Sequence, residues 1–154
     1  MKFLLYICLL VGLAHAEEGV KSVVYDLTTA DMKVFEKKVL SGIAYTKSHY
    51  EANLQELQAT VVIHGGAYKF FIEDLSSSPY KDDAQLNKAH KELAKRLASM
   101  AEIYDVEFLM CKVGMDKNKI DKSTLYKFVK IVPNSTIGLI DKQNEGFAYI
   151  PIAK

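Results

Sequence analysis

Five short apolar runs, separated by segments of helical period, limit what this 154-residue chain can fold into. Residues 22–27, 59–64, 106–111, 129–132 and 147–152 are rich in β-branched and aromatic side chains. Several of them lack a clean polar alternation, as strands buried on both faces do. Between the first two, Met32, Phe35, Val39 and Ile43 recur at helical spacing behind a Thr28-x-x-Asp31 capping box. Gly65-Gly66 ends the second run, and 67–75 reads as a short helix. Asp82 or Asp83 caps the longest helix, which runs to about Tyr104. Its apolar face is Leu86, Leu93, Leu97, Met100 and Tyr104, with Lys88, Lys91, Lys95 and Arg96 in solvent. A polar, lysine-rich loop follows the third run, with a short helix over 121–128. Pro133-Asn134-Ser135 opens a helix that carries Ile137, Leu139 and Ile140 and closes at Gly146. Pro151 marks the last strand as an edge or a strand end. Strand and helix in strict alternation predict an α/β domain, a five-stranded, mostly parallel sheet between two helical layers.

The first residues bear on compartment. Lys2 precedes an apolar block over 3–13, followed by Ala14-His15-Ala16. That is the pattern of a secretory signal peptide cut after Ala16, leaving one domain over 17–154. The block is shorter than the roughly 20 apolar residues of a spanning helix, and no later stretch is long enough, so no membrane span is expected after cleavage. Lys2 is one of 20 basic residues, set against 19 acidic ones, so the mature chain balances to neutrality. With Arg96 as its sole arginine it lacks the basic excess of a nucleic-acid binder.

Cleavage also removes Cys8 and leaves Cys111 without a pairing partner, which invites explanation in an oxidising compartment. Two readings stand: a buried thiol acting as a small hydrophobe, or a reactive one. In a parallel sheet all strands end at one edge, and ligands bind in the crevice outside those ends. His64 would end the second strand there, Cys111 the third, and Asn134-Ser135 the fourth. His64 has two readings, a turn residue or a chemical group, and Asn134 and Ser135 are helix caps whose helix offers N–H groups to an anion. Six lysines between 112 and 130, against Asp116 and Asp121, would favour a thiolate and attract anionic sulfur species. Lys112 is the first of them. No C-x-x-C, phosphate loop or G-x-G-x-x-G is present. The histidines and one cysteine do not readily supply a zinc site. Met110 and Met115 beside Cys111 would make a soft Cu(I) site, although alternation turns Met110 to the opposite face.

Val61-Val62-Ile63-His64-Gly65, Val106 to Cys111 with Gly114-Met115, Ile131-Val132-Pro133-Asn134-Ser135, and Leu139-Ile140 through Gly146 to Ile150 follow one another in a familiar order. In that order and spacing the chain resembles the exported, periplasmic branch of the DsrE/DsrF-like family over nearly all of its mature length. The resemblance implies a five-stranded parallel α/β/α domain assembled as a homo-oligomer, a trimer or larger. It also implies a cysteine after the third strand, Cys111, that carries sulfur as a persulfide in a relay. The expectation is a periplasmic sulfur-handling protein without cofactor or bound metal. Cys111 would be the nucleophile with His64 beside it, and Gly65, Lys112, Gly114, Asn134 and Ser135 would form the binding surface. Its partners would be anionic sulfur species or a sulfur donor or acceptor protein. The alternatives are an anion or Cu(I) binding module without turnover, and a structural oligomer with Cys111 inert.

Overall fold

The computed structural model describes residues 20–153. The expected signal peptide over 1–16 lies outside the described residues. β1 (Lys21–Leu27), β2 (Leu57–Ile63), β3 (Val106–Cys111), β4 (Val129–Val132) and β5 (Ala148–Ile152) form one sheet in the order β4-β3-β2-β1-β5. Every neighbouring pair is parallel, with Leu27 level with both Ile63 and Ile152, and Ile63 level with Met110. β5 is an edge strand, which accommodates the missing N–H of Pro151.

The first helix, α1, starts at Met32–Val34, is π-wound over Phe35–Ile43 and ends over Ala44–Ala52. Its cap is Asp31, whose carboxylate accepts from the Val34 N–H at 2.9 Å. The expected box at Thr28 is displaced because Thr28 continues the strand edge, donating its N–H to Ile152 and accepting from the Gly66 N–H. α2 (Ala84–Glu102) is capped by Asp83 and buries Leu86, Leu93, Leu97 and Met100. A single 3₁₀ turn, Ala67–Phe71, stands where a longer helix was expected. It stops because Ile72 turns extended and bridges to Leu125. The same bridge confines the helix expected over 121–128 to Lys122–Thr124. The presumed loop after β3 is instead the short helix α3 (Lys112–Lys117). α4 (Ser135–Asn144) ends ahead of Gly146, whose φ of +92 suits a C′ glycine.

Strand alternation splits the core in two. Val23, Tyr25, Leu27, Ala59, Val61, Ile63, Phe108 and Met110 face α1, the 3₁₀ turn and α2 in the larger core. Phe35 stacks on Phe70 there at 4.1 Å between centroids, an arrangement worth about 0.5–1.5 kcal/mol beyond area burial. Val24, Val62, Leu109 and Phe147 face the other way, under Leu139 of α4. Gly138 lies against the sheet, where a Cβ would meet Val132 and Val62 at the ordinary contact distances of 3.4 and 3.7 Å.

This division follows from handedness. β1 to β4 step one way across the sheet, so right-handed crossovers place their connections on one face. β4 returns across the whole sheet to β5, so α4 lies on the opposite face. The chain therefore leaves β3 and β4 toward opposite faces, and the crevice that such a switch opens lies between their C-terminal ends. Cys111 ends one of these strands and Ser135 follows the other.

Candidate functional site

Cys111 is the last residue of β3 and the N-cap of α3, level with Val132 of β4. Its side chain is 5% exposed, so water reaches little of it. Burial alone would push the thiol up. Donors around the sulfur reverse that and hold it below the ordinary thiol range: the Gly114 N–H, the Tyr68 hydroxyl, and the N–H and hydroxyl of Ser135. Cys111 does not close a conventional cap hydrogen bond. α3 from one face and α4 from the other thus aim their N-terminal groups at one sulfur.

Each donor has a structural reason for its place. Tyr68 sits in the 3₁₀ turn with its ring fully packed, and its hydroxyl divides its one proton between the Cys111 carbonyl, 3.2 Å away, and the sulfur. Burial, then the neighbouring cysteine, hold the phenol well above its ordinary value, so it stays protonated as a donor. Gly114 is required by that ring, because a Cβ there would lie 1.7 Å from the Tyr68 oxygen. Asn134 caps α4 by accepting from the Ile137 N–H at 2.8 Å. That leaves the Ser135 N–H, in the first turn, free of any helical partner.

The remaining expected residues fall nearby in other pairings. Lys112 binds Asp116 at 2.5 and 2.6 Å in an exposed i,i+4 pair, and Lys130 binds Glu107 on the sheet. The groups that favour the thiolate are hydrogen-bond donors rather than these lysines. Gly65 has φ +62 and makes the tight turn after β2, where a Cβ would meet the Thr28 carbonyl oxygen at 2.9 Å. His64 follows β2, one residue beyond the Ile63–Met110 pair, with its Nε2 on Asp26 at 2.5 Å. The second Asp26 oxygen accepts from the Tyr149 hydroxyl at 2.7 Å.

Sequence reasoning passed over Tyr68, Asp26 and Tyr149. Tyr68 is the one hydroxyl in the apolar stretch Ala67–Phe71, and Asp26 the one acid in β1. A polar group inside a buried apolar run was the available signal. Among the described residues no group of three or more His, Cys, Asp or Glu side chains is placed to hold a metal.

Tyr68→Phe is expected to raise the Cys111 pKa and to destabilise the protein by about 1 kcal/mol, the value of one hydrogen bond. Thiolate absorbance followed against pH, together with denaturant unfolding, checks both.

Compared with known proteins, residues 23–152 match the model of the DsrE/DsrF-like family. An uncharacterized protein of Aquifex aeolicus is 29% identical over 128 residues, which cover 83% of this chain. The match takes in 54% of that relative, so the chain spans about half its length. A solved structure of a protein of unknown function from Methanobacterium thermoautotrophicum superposes with a TM-score of 0.55 at 23% identity. It covers 85% of this chain and 98% of its own, a likeness of fold.

Proposed function

This chain belongs to the DsrE/DsrF-like family, and on that premise we propose that it is an exported sulfur carrier whose Cys111 thiolate accepts sulfane sulfur as a persulfide and passes it on. One observation carries the reading: Cys111 is buried, yet its thiol is held down. An inert buried thiol is pushed up by its apolar surroundings, and nucleophilic cysteines sit where donors or charge favour the thiolate. The position at the switch point between β3 and β4 agrees with where such folds bind ligands. Export is supported by the leader pattern of residues 1–16.

In the uptake step the Cys111 thiolate attacks a terminal sulfur of a polysulfide. A new S–S bond forms to Cys111, the adjacent S–S bond breaks, and the shortened chain leaves with the electron pair. No outside oxidant is needed, since the sulfane sulfur is already oxidised relative to sulfide. A thiol acceptor reverses the exchange.

Incubating the protein with polysulfide, and separately with thiosulfate, then measuring intact mass before and after reduction tests the proposal. The expected result is a gain of one or more sulfur atoms that a reductant removes. No gain in a protein whose Cys111 is still alkylated by a small reagent would overturn it.

A further inference from the structure

From the pairing of His64, Asp26 and Tyr149 beside the cysteine, we propose that Asp26, supported by Tyr149, positions the His64 imidazole as the acid–base partner of Cys111. This rests on the sulfur-carrier reading above.

The three residues come from three elements: Asp26 from β1, Tyr149 from β5, and His64 from the end of β2. Alternation past Val24 and Val62 turns Asp26 and His64 to the α4 face; Cys111 packs with the larger core, but Ser135 at the start of α4 acts on its sulfur from that same face. Asp26 accepts on both oxygens, from His64 Nε2–H at 2.5 Å and from the Tyr149 hydroxyl at 2.7 Å. The carboxylate therefore cannot swing to another partner without losing a bond. With Nε2–H committed to Asp26, the lone pair is on Nδ1, which has no hydrogen bond to any described residue. The Asp26 side chain is 15% exposed and that of His64 27%, so the ring is held yet reachable by a ligand at the crevice. His64 is the residue after the Ile63–Met110 pair on β2 and Cys111 the residue after it on β3, so both stand at the C-terminal rim of neighbouring strands.

A carboxylate that fixes an imidazole tautomer beside a nucleophile is the logic of acid–base-assisted covalent catalysis. Here the Cys111 thiol gives its proton to Nδ1, and the thiolate attacks the outer sulfur of a persulfide donor R–S–SH. The donor S–S bond breaks, and R–S⁻ takes the proton back from the imidazolium and leaves as R–SH. One thiol and one persulfide enter, and one of each leaves. Asp26 and Tyr149 touch neither sulfur and act through His64.

The test follows the rate of sulfur loading from a small persulfide by rapid-quench mass spectrometry, in the full protein and its variants. His64→Ala is expected to slow loading about 100-fold, and added imidazole to restore much of it. In the double variant His64→Ala with Asp26→Asn, imidazole is expected to rescue nothing, because the group that orients it is gone. Asp26→Asn alone should slow loading about 10-fold or more, and Tyr149→Phe, at a half-exposed edge position, less. His64→Ala loading at the native rate, or slowed without imidazole rescue, would overturn the inference and leave the carrier reading standing. Should His64→Ala fail to fold, native-rate loading by Asp26→Asn overturns it equally. Native protein that takes up no sulfur overturns the carrier reading itself, and this inference with it.

Discussion

Cys111→Ser is expected to take up no sulfur from polysulfide or thiosulfate, a loss of the whole signal rather than a reduction. A serine hydroxyl does not ionise near neutrality and has no comparable affinity for sulfane sulfur. The fold should survive the exchange. The serine oxygen inherits the donors that now favour the thiolate, namely Gly114 and Ser135 N–H and the Tyr68 hydroxyl, so it is not left unsatisfied. The stability cost should stay near 1 kcal/mol. Intact mass after loading and a thermal melt measure the two sides. Reducible sulfur retained by a well-folded Cys111→Ser protein would place the carrier site elsewhere.

The second large effect is expected at Gly114, where fold and chemistry meet in one Cβ. An alanine there would sit 1.7 Å from the Tyr68 oxygen and 2.4 Å from the ring carbon that bears it. Tyr68 is 1% exposed and has no room to retreat, so either α3 shifts or the ring leaves its rotamer. Overpacking of this kind costs about 1–3 kcal/mol, occasionally more. Either response moves donors away from the sulfur, so the Cys111 thiol should rise toward its ordinary value of about 8.5 and load more slowly at neutral pH. Gly114→Ala combined with Tyr68→Phe should be less destabilised than the sum of the two, because removing the oxygen relieves part of the clash. Denaturant unfolding of the four proteins in this cycle gives that coupling.

The strands were legible because their composition leaves little choice. β3 and β4 lie at residues 106–111 and 129–132, where the apolar runs placed them, and the strand–helix alternation implied the parallel sheet. α3 was not legible: it is six residues long, contains Gly114 and buries only Met115, so it has no apolar period to read. What holds it is its direct junction with β3, the burial of Met115 and the Asn118 side-chain N–H on the Gly114 carbonyl, the exposed Lys112–Asp116 pair adding little. That missed helix changes the account of the site, because it makes Cys111 an N-cap facing backbone N–H groups.

Reading the lysines between 112 and 130 as the field that favours a thiolate followed sequence proximity. In the fold Lys112 and Lys130 are each tied to a carboxylate, and the groups acting on the sulfur come from residues 68, 114 and 135. His64 was legible as a residue at the strand end. Its link to Asp26, 38 positions away, arises only when β1 and β2 pair in parallel register. A hydrogen bond between strands is set by topology, and a single sequence carries no local signal for it.

The central physical claim is that converging donors hold the Cys111 thiol below its ordinary range in spite of burial. Its most direct test is a pH titration of the protein with ¹³Cβ-labelled cysteine, followed by NMR. The account predicts a midpoint below the ordinary thiol value of about 8.5, and a higher midpoint in Tyr68→Phe. A native midpoint at or above that value would show that burial wins over the donors, and Cys111 would then be a core residue rather than a nucleophile.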